Sequence, residues 1–210
     1  MIELIKSRGV TNQAVLNAMQ AVPRHVFVPE EERGYAYGDH PLPIGCGQTI
    51  SQPYIVALMT DLLELRSGDK VLEVGLGSGY QAAVLAEMPG VEVFAIEIIP
   101  ELAERAQERL ASLGYTQIHC KQGDGYFGWP EEAPFNAIVV TAAPEKVPPP
   151  LEEQLAIGGR LVVPVGPPGG YQTLWKITRR ADGTYHRLRH SGVAFVPFTG
   201  AGVGGDEGVH

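Results

Sequence analysis

The residues best placed to do chemistry are three glycines and an acid. Val71-Leu72-Glu73-Val74-Gly75-Leu76-Gly77-Ser78-Gly79-Tyr80 runs from short apolar residues into a Gly-x-Gly-x-Gly turn, and a helical pattern follows from Gln81. Glycine is needed where a backbone takes unusual φ/ψ or where a ligand presses against the main chain. The next apolar run, from Val91 to Ile96, ends at Glu97. An acid about twenty residues after such a turn is placed to bind the two hydroxyls of a ribose. The stretch therefore proposes a nucleoside cofactor lying across the carboxyl ends of a parallel sheet. A dinucleotide turn would carry its third glycine or alanine where Tyr80 stands, one residue after Gly79. A phosphate loop would need Gly-Lys-Ser/Thr, and nothing basic lies in this turn.

The elements that must position these residues follow from periodicity. Residues 11–22 carry Ala14, Val15, Ala18, Met19 and Val22 at helical spacing, with Thr11 as N-cap and Pro23 as stop. Residues 24–50 are broken by prolines and glycines into one long irregular segment, with Phe27, Tyr35 and Tyr37 as its anchors. Ile55, Leu58, Met59, Leu62 and Leu63 mark a helix with Ser51 as N-cap and Pro53 in its first turn.

From Val71 the order is strand, helix, strand, helix. The helix over 100–113 pairs Glu101 with Arg105 on its outer face and is capped by Gly114. Ile118–Lys121, Phe135–Val140 and Arg160–Val165 read as further strands, with a short helix at Leu151–Leu155 that ends at Gly158-Gly159. Thr173–Thr178 and Val193–Val196 read as two last strands around a polar hairpin at Asp182-Gly183, and a loose tail begins at Gly200. Alternating βα units predict an α/β, doubly wound, mostly parallel sheet of Rossmann-like form, with one of the last two strands antiparallel. One domain over 1–210 is expected, with 1–50 as an N-terminal extension and 51–199 as the cofactor-binding core.

Composition narrows the function. The chain has 210 residues, a net charge of −8 and a pI near 5.2. That balance argues against a sequence-independent nucleic-acid binder. Cys46 and Cys120 are too few for a disulfide framework, and no stretch reads as a signal peptide or membrane span. A soluble, cytoplasmic chain is expected. His186 and His190 lie four apart without further ligands, and Cys46 has no histidine at a familiar spacing, so neither a metal nor a thiol nucleophile is expected.

The uncharged turn followed by Glu97 resembles the first motif of S-adenosylmethionine-dependent methyltransferases. A more specific likeness lies upstream. Leu42-Pro43-Ile44-Gly45-Cys46-Gly47-Gln48-Thr49-Ile50-Ser51-Gln52-Pro53-Tyr54 resembles the signature of the protein-L-isoaspartate (D-aspartate) O-methyltransferases. The likeness continues through Val22–Pro29, Val74–Tyr80, Gly123-Asp124-Gly125, Val140–Pro144, Gly158–Leu161 and Val193–Pro197, from about residue 15 to residue 199.

The resemblance implies methyl transfer from S-adenosylmethionine, leaving S-adenosylhomocysteine, to the free carboxylate of L-isoaspartyl residues in damaged proteins, with D-aspartyl residues as a further target. A monomer with no nucleic-acid or membrane partner is expected. By matching position, Ser51 is the active-site serine, and Gln48, Thr49 and Ile50 line the cofactor and substrate side. Gly75, with Gly77 and Gly79 in its turn, meets the methionine part of the cofactor. Glu97 meets the ribose, Asp124 and Gly125 the adenine, and Thr199 the cofactor side.

The residues agree with that chemistry. A carboxylate is already ionised at pH 7, so attack on a sulfonium methyl needs alignment and hydrogen-bond donors rather than a base. Thr49 and Ser51 offer small hydroxyls beside the turn. Methyltransferases of nucleobase amino groups show Asp/Asn-Pro-Pro-aromatic after the fourth strand, where this chain has Thr141-Ala142-Ala143-Pro144. Other readings are a small-molecule or nucleic-acid methyltransferase, a nicotinamide oxidoreductase, or a non-catalytic module of this fold. Ser51 as a mere helix cap, Asp124 as a turn former, and Phe195-Val196-Pro197-Phe198 as a core strand with a free edge are the plainer local readings.

Overall fold

The computed structural model describes residues 1–201. The chain opens with α1 (Ile2–Ser7) and α2 (Gln13–Ala21). Asn12, rather than Thr11, caps α2, its side chain accepting the Ala14 N–H at 3.1 Å. The segment expected to be irregular holds two short 3-10 turns, Arg24–Phe27 and Glu30–Tyr35. A hairpin of β1 (Leu42–Gly45) and β2 (Gln48–Ile50) follows them. Phe27 anchors the segment, edge-on to Tyr80 at 5.4 Å, whereas Tyr35 and Tyr37 are exposed.

The remaining elements are α3 (Pro53–Leu62), β3 (Lys70–Val74), α4 (Tyr80–Ala86), β4 (Glu92–Glu97), α5 (Pro100–Ser112) and β5 (His119–Gln122). They continue through β6 (Phe135–Val140), α6 (Pro149–Glu153), β7 (Leu155–Val165), β8 (Gln172–Arg179) and β9 (Tyr185–Val193). The large sheet runs β5-β4-β3-β6-β7-β8-β9, parallel from β5 to β7, with β8 antiparallel to both neighbours. The order reverses between β3 and β6. In open α/β sheets, ligands bind outside the carboxyl ends of the strands at such a switch.

Because side chains alternate across a strand, the central strands divide their apolar residues between two cores. Val71, Val93, Ala95, Val139 and Val162 pack with α2, α3, α4 and α5. Leu72, Val74, Phe94, Ile96, Val140 and Val163 pack on the other face with Phe135, Leu151 and Leu155. Strands covered on both faces read as near-continuous apolar runs. Glu73, facing the first core, breaks that rule.

Three expectations are corrected. Gly158-Gly159 does not end a helix. α6 stops at Glu153, and the two glycines lie within β7, where the pairing of Phe135 with Leu155 shifts to Ala137 with Arg160. This bulge needs glycine: Gly158 has φ +77°, and a Cβ on Gly159 would lie 2.8 Å from the Ala156 carbonyl. The last strand is Tyr185–Val193, not Val193–Val196. Its polar side chains hid it, because an outer strand needs no apolar alternation. Ser51 is not the cap of α3, as described below. From residue 202 onward, the expected loose tail lies outside the described residues.

Candidate active site

A cleft enclosing about 870 Å³ of empty space sits at the switch between β3 and β6. Its walls bring together most of the residues singled out by sequence. Gln48, Thr49, Ile50 and Ser51 come from the hairpin, Gly75 and Gly77 from the glycine turn, Glu97 from the end of β4, and Gly125 and Thr199 from later loops. Gly79 and Asp124 lie outside this lining.

The turn is shaped by steric need. Gly75 has φ +99°, and a Cβ there would lie 2.4 Å from Thr141 Oγ1. That hydroxyl donates to the carbonyls of Gly75 (2.5 Å) and Val74 (3.1 Å), tying β6 to the turn. Gly77 also has positive φ, at +53°. Its N–H donates to Glu97 Oε2 at 2.7 Å, and the Ile99 N–H donates to Oε1 at 3.0 Å. Glu97 thus clasps the turn to the end of β4. Each carboxylate oxygen has a further lone pair for an incoming hydroxyl.

Gly79 serves another purpose: at φ +87° it starts α4, and a Cβ there would meet Leu110 of α5 at 3.2 Å. Gly125 is needed for close packing, since a Cβ would lie 2.4 Å from Val74 Cγ1. Asp124 Oδ1 accepts the Tyr126 N–H at 2.9 Å, so it shapes the turn that holds Gly125.

Ser51 was expected to cap α3. The N-cap position falls on Gln52, and Asp39 supplies the acceptor instead: its Oδ1 takes the Tyr54 N–H at 3.1 Å. Asp39 Oδ2 also accepts from Gln52 Nε2 (2.7 Å) and pairs with Arg8 (2.9 Å). The half-buried Ser51 hydroxyl is left in the cleft wall, with no hydrogen-bond partner among the described residues.

Two further residues went unassigned from sequence. Thr141 was seen only as part of a motif. Glu73 is 1% exposed, lines the cleft, and its Oε2 lacks a hydrogen-bond partner among the described residues. Burial, with the negative charge of Glu97 added, pushes its carboxyl well above the usual range. An acid inside the apolar run Val71–Val74 was the available signal. Among the described residues, two glutamates and no lysine, arginine or histidine line the cleft. Such a lining suits a cationic ligand. Among the described residues, no three His, Cys, Asp or Glu side chains are grouped to hold a metal.

Outside the cleft, α5 braces both parts of the site. Arg109 donates to the Ser78 carbonyl at 2.8 Å, and Arg105 to the Ile44 carbonyl at 3.1 Å. Burial and the neighbouring Arg105 charge lower the pKa of Arg109.

The fold and this cleft define a Rossmann-like methyltransferase. Comparison with known proteins narrows the class. Residues 1–202 match the model of the protein-L-isoaspartate (D-aspartate) O-methyltransferase family, and the chain belongs to that family. It is 57% identical over 196 residues to "Protein-L-isoaspartate O-methyltransferase 2" of Shewanella sediminis, covering 93% of this chain and 80% of the relative. A solved protein-L-isoaspartate O-methyltransferase superposes with a TM-score of 0.87 at 29% identity, covering 97% of this chain and 66% of that one. A Plasmodium falciparum protein described as the same enzyme, solved in complex with S-adenosyl-L-homocysteine, superposes with a TM-score of 0.81 at 28% identity, covering 94% and 96%.

Proposed function

We propose that this chain methylates the free carboxylate of L-isoaspartyl residues in damaged proteins, with D-aspartyl residues as a second target. The observation that carries the reading is the cleft itself. Among the described residues, two glutamates and no basic side chain surround a glycine floor, and the Ser51 hydroxyl stands in the wall without a hydrogen-bond partner. S-adenosylmethionine fits this lining, and when bound it supplies an electrophilic methyl group on a positively charged sulfur.

Gly75 and Gly77 let the backbone approach the methionine part, and Glu97 accepts from the ribose hydroxyls. Gly125, with the turn shaped by Asp124, lies on the adenine side, and Thr199 closes the cofactor side. Glu73, whose Oε2 has no hydrogen-bond partner among the described residues, can accept from a cationic group deep in the cleft. Thr49 and Ser51 present hydroxyls, and with the loop backbone they hold the substrate carboxylate in line with the methyl carbon. The attacking oxygen forms the O–C bond as the C–S bond breaks, the sulfur becomes neutral, and no proton moves. Alignment and exclusion of water therefore carry the rate.

The same reading makes residues 1–210 one methyltransferase domain that acts as a monomer on cytoplasmic proteins. Among the described residues, no helix is long and apolar enough to cross a membrane. A dinucleotide oxidoreductase is disfavoured by Tyr80, which stands where its turn would carry a third glycine or alanine. Radiolabelled methyl transfer to a synthetic isoaspartyl peptide, with the normal aspartyl peptide as control, tests the proposal. Labelling of the isoaspartyl peptide alone is expected, and equal or absent labelling would refute it.

A further inference from the structure

The chain is acidic overall, yet its last hairpin is basic. Residues 172–193 carry Lys176, Arg179, Arg180, Arg187 and Arg189 against Asp182 alone. Among the described residues, β9 is an outer strand paired only with β8, so half of its backbone N–H and C=O groups face outward. Every residue from His186 to His190 is exposed. Some of the cations are engaged: Lys176 with Glu64, Arg187 with Glu152, and Arg179 with the Leu155 carbonyl. Arg180 and Arg189 make no ion pair among the described residues.

Charge on an outer strand ordinarily keeps it from pairing. Here the charges are of one sign. They repel a second copy of β9 and attract an acidic strand.

The strand is also continuous with the cleft. Val193 ends β9, and Val196 to Thr199 line the cleft wall. Between them lies an exposed ring. Tyr171 is 89% exposed and packs over Gly192, where a Cβ would come within 2.8 Å of its Cε1. From Val196 back to Arg189 is roughly 23 Å of extended chain, at about 3.3 Å per residue.

We infer that the outer edge of β9 docks an acidic, extended segment flanking the reacting residue of a client protein. The inference rests on the methyl-transfer reading above. An added strand satisfies the outward backbone groups, and its acidic side chains on one face meet Arg189, which shares that face with Arg187. A nucleic acid backbone offers no N–H groups to the outward carbonyls, so a polypeptide is the better fit.

The test uses the full chain and peptides sharing one isoaspartyl core. Each carries a tail of roughly eight residues, on its N- or C-terminal side, with Glu or Gln at alternate positions. At low salt, on one of the two sides, the Glu-tailed peptide should show a KM about tenfold below its Gln-tailed twin, with kcat unchanged. High salt should abolish the difference. In Arg189→Glu the Gln-tailed KM should stay the same and the Glu advantage should vanish. Equal KM values in the unmodified enzyme, or an advantage that survives in the variant, would overturn the inference. So would a single-stranded oligonucleotide that competes more tightly than the Glu-tailed peptide. If no isoaspartyl peptide is methylated, the methyl-transfer reading fails instead. Fluorescence anisotropy of the labelled Glu-tailed peptide, with both proteins, then decides the docking surface alone.

Discussion

Asp39 accepts the backbone N–H of Tyr54, fifteen residues downstream of it, at 3.1 Å and so caps α3. The same carboxylate pairs with Arg8 and accepts from Gln52. One side chain therefore fastens α1, the irregular segment and α3 together, beside the loop that carries Ser51. A helix N-terminus needs an acceptor from somewhere, and supply from a distance leaves the nearest hydroxyl available to the cleft.

Capping and chemistry separate cleanly by mutation. Asp39→Ala should lower stability by about 1–2 kcal/mol, or about 2–8 °C in Tm for a chain of this size. Ser51→Ala should leave Tm unchanged. Thermal denaturation of the two variants checks this, and a destabilised Ser51→Ala protein would return the capping role to Ser51.

Ser51→Asp should fold normally and bind S-adenosylhomocysteine normally, yet transfer methyl to isoaspartyl peptide very poorly. The new carboxylate would face the substrate's own in a partly desolvated cleft, where like charges repel strongly. Ser51→Ala should lose less, because backbone donors of the loop remain. Wild-type kcat/KM for Ser51→Asp would place Ser51 away from the substrate carboxylate.

Glu97→Ala removes the acceptor for the ribose hydroxyls and also frees the N–H groups of Gly77 and Ile99. Charge-assisted bonds to a buried acceptor contribute about 1.5–3 kcal/mol. Cofactor affinity should fall by roughly ten- to a hundredfold while the protein stays folded. Calorimetric titration with S-adenosylhomocysteine reads the change, and an unaltered Kd would remove Glu97 from the ribose site.

Glu73 makes stability depend on pH. Its folded pKa is raised well above its ordinary value of 4.5 by burial and by the charge of Glu97. A raised folded pKa contributes stability that is fully present below the unfolded pKa and is lost as pH rises through the folded one. Glu73→Gln cannot ionise and lacks this loss. The Tm of Glu73→Gln minus that of wild type should therefore increase as pH is raised from below 4.5 toward neutrality. A difference that stays flat across that window would mean that Glu73 is ionised in the native state.

Gly75→Ala should fail at both fold and site. The residue holds φ +99°, and its Cβ would meet Thr141 Oγ1 at 2.4 Å. Loss of cofactor binding together with a lowered Tm is expected. Thr141→Ala in the same background should restore part of the Tm, because it removes the clashing hydroxyl but not the backbone strain.

The sequence by itself determined the central βαβ units, because strands buried on both faces must be apolar throughout. Phe135–Val140 was legible to the residue for that reason. It also determined the glycine turn and Glu97, whose spacing is local to one unit. Tertiary structure alone decided what depends on partners far apart in the chain. Asp39 took the cap from Ser51 because the chain folds back across α3. Gly79 turned out to make room for Leu110, a residue of another helix. β9 escaped recognition because its strand character comes from pairing with β8, not from apolar alternation. Glu73, an acid in an apolar run, became a cleft wall with a raised pKa only once burial and the charge of Glu97 acted on it together. Local patterns report what one element needs, whereas hydrogen bonds, clashes and desolvation between elements exist only after the chain has closed on itself.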